Sequence, residues 1–255
     1  MRLRQFAFVA RDLQPPVDDL CAVLGLEVCY NDPGVGAFGL ENALMPLNGT
    51  LIEVVAPMQD GTTAGRYLER RGGDGGYMLL FQCDDAAAER ARIEDLGVRT
   101  VWRHDEPDCI ATHFHPADTP GAIVSIDSML PLEDWHQELA AWKWAGPDWR
   151  AHVRTDRVQA LSAVEIQADN PDAVAARWSE IFARPLDRGE GGVPLLRFDN
   201  AALRFVQARD GRGLGLSAID VLPQNRDAVL ATAAERGLPH DARHVMLCGV
   251  RVNLI

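Results

Sequence analysis

The sequence predicts an α+β protein built from four tandem βαβββ units paired into two domains, and three observations carry that prediction. An apolar strand, an amphipathic helix and Gly-punctuated strands recur four times between Leu3 and Ile255. The copies LSAVEIQADNPDAVAARW, from Leu161, and LSAIDVLPQNRDAVLATA, from Leu216, superpose with Leu-Ser-Ala and Asp-Ala-Val in register. One such unit cannot bury both its sheet face and its helix, so units must pair. A chain of 255 residues that is 47% hydrophobic has the material for two cores, each in a domain of about 120 residues.

In the first unit RQFAFVA reads as a strand. DLQPPVDDLCAVLGL follows as a helix, with Asp12 as N-cap, prolines in the first turn and Gly25 near the end. EVCYN, GAFGL and GTLIEVVAP read as strands between Gly, Pro and Asn turns. The short helix GRYLERRG leads to the second unit, with YMLLFQC as a strand, DDAAAERARIEDLGV as a helix, and VRTVWRH, CIATHFH and GAIVSID as strands. The run GGDGG follows a helix and precedes a strand, the wrong order for a phosphate-cradling loop and the right one for a helix C-cap. Residues 1–129 therefore form a first domain. Residues 130–158 break the pattern and hold Trp135, Trp142, Trp144 and Trp149, which predicts an ordered connector. Residues 159–255 form the second domain.

The net charge of −12 and the lack of a basic cluster argue against nucleic acid and anionic membranes as partners. Five cysteines without a CxxC pair suggest neither a zinc knuckle nor a disulfide framework and fit a reducing cytoplasm. The apolar run at the N-terminus is too short for a signal peptide, and no stretch approaches membrane-spanning length.

RLRQFAFVARDL, GTLIEVVAP and RYLERRGGDGGYMLLFQCDD resemble, respectively, the opening strand and turn, the glutamate-bearing last strand and the start of the second unit in the vicinal oxygen chelate superfamily. That superfamily includes glyoxalase I, bleomycin-resistance proteins, extradiol dioxygenases and methylmalonyl-CoA epimerase. The resemblance implies two glyoxalase-like domains, in which paired units wrap their sheets into a cup. It also implies a divalent metal held by inward residues of the opening and closing strands, which fall here on Gln5, Glu53, Met78 and Ser125. In the second domain the same positions are Ala163, Phe205, Ala218 and Asn253, a set unable to hold a divalent ion. Gln5, Tyr77, Met78 and Ser125 are thereby ligand-contacting candidates.

Glu53 interrupts the apolar strand LIEVV, and a buried carboxylate needs a partner or a raised pKa, so it is a candidate base or ligand. The competing reading is neutralisation by a donor such as Gln5. His113 and His115, in ATHFHP, fall on one strand face by alternation. With Glu53 they would make a two-histidine, one-carboxylate set for Zn, Fe, Mn or Ni; alternatively they satisfy backbone carbonyls or contact an organic ligand. Asp127 either replaces a missing glutamate or starts a turn, and Cys109 reads as packing. Glu165 and Asp220, with Arg204 and Arg251, read as a neutralised buried network sooner than as an acid/base pair.

The leading functional expectation is a small polar or aromatic metabolite bound in the first domain without the usual metal tetrad. Isomerisation or cleavage would use Glu53 as base with His113 and His115 orienting a carbonyl oxygen. The alternatives are a non-catalytic sequestering protein of the bleomycin-resistance type and a metal-dependent lyase, isomerase or dioxygenase using His113, His115 and Glu53. Whether the protein is an enzyme stays open, with a glyoxalase-type lyase or isomerase ahead of an extradiol dioxygenase. The expected partner is a small-molecule ligand, and the expected state is a monomer or homodimer.

Overall fold

A computed structural model of the chain describes every residue except Glu133. The first repeat runs β1 (Arg2–Val9), α1 (Gln14–Leu24), β2 (Leu40–Leu47) and β3 (Thr50–Pro57), followed by the short α2 (Thr63–Arg71). The second runs β4 (Gly75–Gln82), α3 (Ala86–Asp95), β5 (Thr100–Glu106), β6 (Cys109–Phe114) and β7 (Ile123–Met129). The third comprises β8 (Val158–Ala168), α4 (Pro171–Phe182), β9 (Asp187–Arg188), β10 (Pro194–Arg197) and β11 (Ala202–Gln207). The fourth comprises β12 (Gly215–Pro223), α5 (Arg226–Glu235), β13 (His244–Leu247) and β14 (Val250–Leu254).

Two mixed seven-stranded sheets result, ordered β2-β3-β1-β4-β7-β6-β5 and β13-β14-β12-β8-β11-β10-β9. Within a repeat the opening and closing strands pair in parallel, as β4 with β7, β8 with β11 and β12 with β14. The helix between them makes that crossover possible. The repeated text explains the repeated geometry. Asn170 and Asn225, equivalent in the two copies, each cap a helix by accepting the N–H of Ala173 at 3.1 Å and of Ala228 at 3.0 Å.

The outer repeats depart from the expected strands. EVCYN contributes only a bridge between Tyr30 and Leu44, and the first three residues of GAFGL lie in a 3-10 turn over Pro33–Phe38, whose start is capped by the Asp32 carboxylate accepting from Gly34 N–H at 2.8 Å. Proline and closely spaced glycines favour that turn over a ladder. The strand forms instead at Leu40–Leu47, hairpinned to β3 across Asn48 and Gly49, with Asn48 at φ 53°. The fourth repeat repeats this economy, with a lone bridge between His240 and Val245. Asp12 does not cap α1, whose N-cap is Leu13 without a side-chain bond. Prolines at the first helical positions lack the N–H groups a cap would satisfy, so little is lost.

By contact density the chain divides into two compact units that cut across the sheets. Unit one holds Met1–Gln5, Tyr77–Ala141 and Ala163–Leu216, thus chiefly the second and third repeats. Its core is aromatic. The Phe81 ring lies 4.7 Å from those of both Phe182 and Phe198, and Trp178 stacks on Phe182 at 5.4 Å. Arg92 of α3 donates to the last-turn carbonyl of Ile181 in α4 at 2.5 Å.

Unit two holds Phe6–Gly76, Trp142–Ser162 and Ser217–Ile255. Here α1 packs on α5, tied by an Arg236–Asp19 ion pair of 2.7 Å and by Arg157, which donates to Thr232 Oγ1 at 2.8 Å. Trp142 and Trp149 are each 2% exposed, so both rings lie in the core of this unit. Gly146, at φ +79°, sits under Tyr30, whose ring carbons would lie 2.7 Å from an added Cβ. Gly146→Ala is therefore expected to cost about 1–3 kcal/mol and lower the melting temperature in a thermal scan, because both the left-handed backbone and the ring contact oppose a methyl group. Among the described residues no helix is long and apolar enough to cross a membrane.

Candidate functional site

In unit one, α3 identifies which face of the first sheet is covered. Arg90 Nε donates to Thr112 Oγ1 at 2.6 Å, and the Ser128 hydroxyl accepts the Ala86 N–H at 2.8 Å, so Thr112 and Ser128 face the helix. Alternation then turns His113, Ser125 and Asp127 to the other face. Register places His113 opposite Ser125 on one side and opposite Trp102 on the other, with Gln82 opposite Asp127 and Met78 opposite Ile123.

That face grades from accessible aromatic groups at the sheet edge to buried polar groups further in. Trp102, His104 and His113 are half-buried. The Trp102 ring lies 4.4 Å from His113 and 5.7 Å from His104, the latter nearly parallel. Ser125 and Asp127 are fully buried, and the Ser125 hydroxyl donates to Asp127 Oδ1. Burial drives the pKa of His113 down to about 3, since an imidazolium there would lose its hydration. His113 is neutral at physiological pH, with one nitrogen to donate and one to accept.

His115 lies beyond the end of β6. Its Nδ1 accepts the Ala117 N–H at 3.1 Å and meets Arg99 Nη2 at 3.3 Å, and Arg99 also pairs with Asp118 at 2.7 Å. That pairing holds the Asp118 carboxyl down at about 2. The spacing that suggested one strand face for both imidazoles thus yields one on the strand and one in the following turn, because the ladder stops at Phe114.

Glu53 belongs to unit two, where it is buried and its Oε1 accepts from Asn42 Nδ2 at 2.6 Å. The Asn42 side-chain Oδ1 in turn accepts the Asp32 N–H at 2.8 Å, anchoring the loop before β2. In the first sheet three strands stand between β3 and β6. Gln5 is buried beside Arg4, and Arg4 donates to Gln82 Oε1 at 2.9 Å. Alternation therefore turns Gln5 away from the face that carries Gln82. Tyr77 and Met78, both buried, likewise point to opposite faces of β4, and only Met78 shares the face of Ser125.

In the second sheet Glu165 and Arg204 are cross-strand partners and form an ion pair of 3.4 Å. They line an open depression of about 340 Å³ with Gly189, Glu190 and Val206. Asp220 accepts instead from Asn253 Nδ2 at 2.8 Å, and Arg251 Nε donates to Asn253 Oδ1 at 3.0 Å. The two equivalent acids are thus each engaged, the second through an amide relay.

The donor set suits a divalent metal poorly. Of the four positions implied by the family resemblance, Met78 offers a thioether, Ser125 has its hydroxyl on Asp127, Gln5 turns away from the face carrying Met78 and Ser125, and Glu53 carries an amide hydrogen bond. Among the described residues no three His, Cys, Asp or Glu side chains converge in a way that could hold a metal ion, the set His113, His115 and Glu53 included.

Comparison with known proteins decides the family, for the profile of the glyoxalase-like domain matches residues 6–182, more than half of the chain. The chain belongs to the glyoxalase-like domain family. This glyoxalase-like protein is similar to the ethylmalonyl-CoA/methylmalonyl-CoA epimerase of Cereibacter sphaeroides, with 24% identity over 137 residues, covering 50% of this chain and 98% of that one. In structure it is similar to a mutant 4-hydroxymandelate synthase from Streptomyces coelicolor, with a TM-score of 0.66 and 14% identity over 92% of this chain and 75% of that one. A methylmalonyl-CoA epimerase in complex with methylmalonyl-CoA gives a TM-score of 0.46 and 23% identity over 52% of this chain and 96% of that chain. The match to the synthase over 92% of this chain shows a two-domain fold with mixed sheets.

The sequence reading passed over Arg2, Arg4, Gln82, Asn42, Trp102 and His104. For Trp102 and His104 a signal existed. In VRTVWRH they repeat with period two, as the histidines do in ATHFHP, and a hairpin between these runs must bring one set opposite the other.

Proposed function

We propose that this glyoxalase-like chain binds a small, planar, polar metabolite on the Trp102, His104 and His113 face of unit one, without a chelated metal. The observation that carries the reading is a neutral, half-buried imidazole beside an accessible aromatic wall. Trp102 supplies stacking area, and His113 supplies one directional hydrogen bond in a poorly hydrated setting. A conjugate acid with a pKa of about 3 makes His113 a weak base, far from the poise that general-base catalysis near neutrality requires. The face therefore suits holding a ligand better than removing a proton from it, which favours sequestration over turnover there. The names of the relatives suggest acyl-CoA thioesters and aromatic hydroxy acids as the first compounds to try.

Thermal-shift titration with methylmalonyl-CoA, 4-hydroxymandelate, catechol and a glutathione thiol conjugate tests this. A ligand that binds the native state must raise the melting temperature with concentration, by about 2.7 kcal/mol of stability at a hundred times its Kd. Either His113→Ala or Trp102→Ala is expected to weaken binding by about tenfold, the loss of one hydrogen bond or one stacking surface. A ligand whose affinity both variants leave unchanged would place the site elsewhere.

A further inference from the structure

Arg2 and Arg4, at the start of β1, are buried to 4% and 0% exposure. Arg2 Nη1 donates to the carbonyl oxygens of Trp135 and His136 at 3.2 Å each and to that of Gln137, while Nη2 donates to Glu138 O at 3.2 Å. Arg4 Nη2 donates to Ala140 O at 3.0 Å, and Gln82 Nε2 to Ala141 O at 3.2 Å. Three buried side chains thus aim their donors at the main-chain oxygens of one segment, residues 135–141, which contains no helix or strand. The segment's own side chains at His136, Gln137, Glu138 and Leu139 are exposed. Besides these main-chain contacts, His136 Nδ1 lies 3.7 Å from Asp199 Oδ2.

Neutral carbonyls are weaker partners than a carboxylate for the buried Arg2 guanidinium. Among the described residues Arg2 has no carboxylate within 4.0 Å, and its Nε makes no hydrogen bond. Burial accordingly lowers its pKa, with Glu138 and Asp199 opposing the shift from a distance. A carboxylate in place of those carbonyls would make shorter, charge-assisted and bidentate bonds. We propose that Arg2, Arg4 and Gln82 form a binding site for a small organic carboxylate, which residues 135–141 occupy in the free protein and vacate on binding. The segment is a stand-in for the ligand, matching its oxygens but not its charge. A ligand displaces it in proportion to its preference for the open state over the closed one. The proposal does not rest on the ligand reading at His113.

The test uses the full chain, malonate as the probe, and a glutamyl endopeptidase that cuts after Glu138 once the segment lifts. Malonate is expected to raise the rate of that cut by about tenfold and to saturate, whereas sodium chloride at matched ionic strength leaves it unchanged. Arg2→Gln should raise the basal rate and abolish the malonate response. Arg2→Lys, which keeps the charge but loses the donor fork, should raise the basal rate and keep a weaker response. Cleavage after Glu138 reads this site without reporting ligand binding at His113, so failure of this site and failure of the His113 reading are separable. A malonate effect no larger than that of chloride would overturn the proposal, as would a full response in a folded Arg2→Gln protein. Should Arg2→Gln not fold, Arg2→Lys decides: basal cleavage and malonate response both equal to wild type would overturn it.

Discussion

Trp178→Ala is expected to lower the unfolding free energy by about 3–5 kcal/mol, the range for emptying a buried aromatic site that collapses only in part. Trp178 is fully buried in α4, stacks on Phe182 at 5.4 Å and meets Phe205 at 6.1 Å. Through Phe182 it continues into the Phe81 and Phe198 cluster, so a cavity there would loosen the aromatic core of unit one. Its Nε1 also donates to Pro120 O at 2.9 Å, a bond that Trp178→Phe removes while keeping most of the apolar contact. Trp178→Phe should therefore cost less, about 1–3 kcal/mol for the unsatisfied carbonyl and the smaller ring. Urea midpoints at unchanged m values measure both. Equal losses for the two variants would mean that the hydrogen bond, and not ring packing, dominates at this position.

The fold was legible in the sequence where local and global signals agreed. Repeated Leu-Ser-Ala and Asp-Ala-Val text forces repeated strands and helices, and Asn170 and Asn225 show that even the caps recur atom for atom. Legibility failed at β2. There an apolar run containing Pro46 was passed over for the Gly-rich segment before it, although Asn48 and Gly49 are a strong hairpin signal that points to strands on both sides. Site geometry was harder for a different reason. Period-two alternation assigns faces only while the ladder lasts, and β6 ends one residue before His115. Residue spacing is equally silent on which unit a side chain joins, and Glu53 and His113 fall in different compact units. The arginines at positions 2 and 4 escaped notice because basic residues flanking a strand usually face water, and only tertiary structure shows them buried against the 135–141 backbone.

Stability should fall as pH drops from 7 to 5, and His113→Gln should remove part of that slope. The sign follows from linkage. Folded His113 titrates at about 3, against the ordinary 6.5 that the unfolded chain restores. Between those values the unfolded state binds the extra proton, so its population rises as pH falls, and the loss is complete only near pH 3. At pH 5 the shift corresponds to at most about 2 kcal/mol, because 1.5 of the pKa units lie within the window at about 1.36 kcal/mol each. The Asp118 carboxyl, held at about 2 by Arg99, acts in a separate window below its ordinary 3.8 and does not confound the comparison of pH 7 with pH 5. Chemical denaturation at both pH values, in wild type and in His113→Gln, isolates the imidazole because glutamine keeps a donor and an acceptor without titrating. If the variant loses as much stability on acidification as wild type, His113 is hydrated enough to take a proton in the folded state. The neutral hydrogen-bonding partner on which the ligand reading depends would then be a cation below neutrality, and the same face would select anions instead of planar neutral groups.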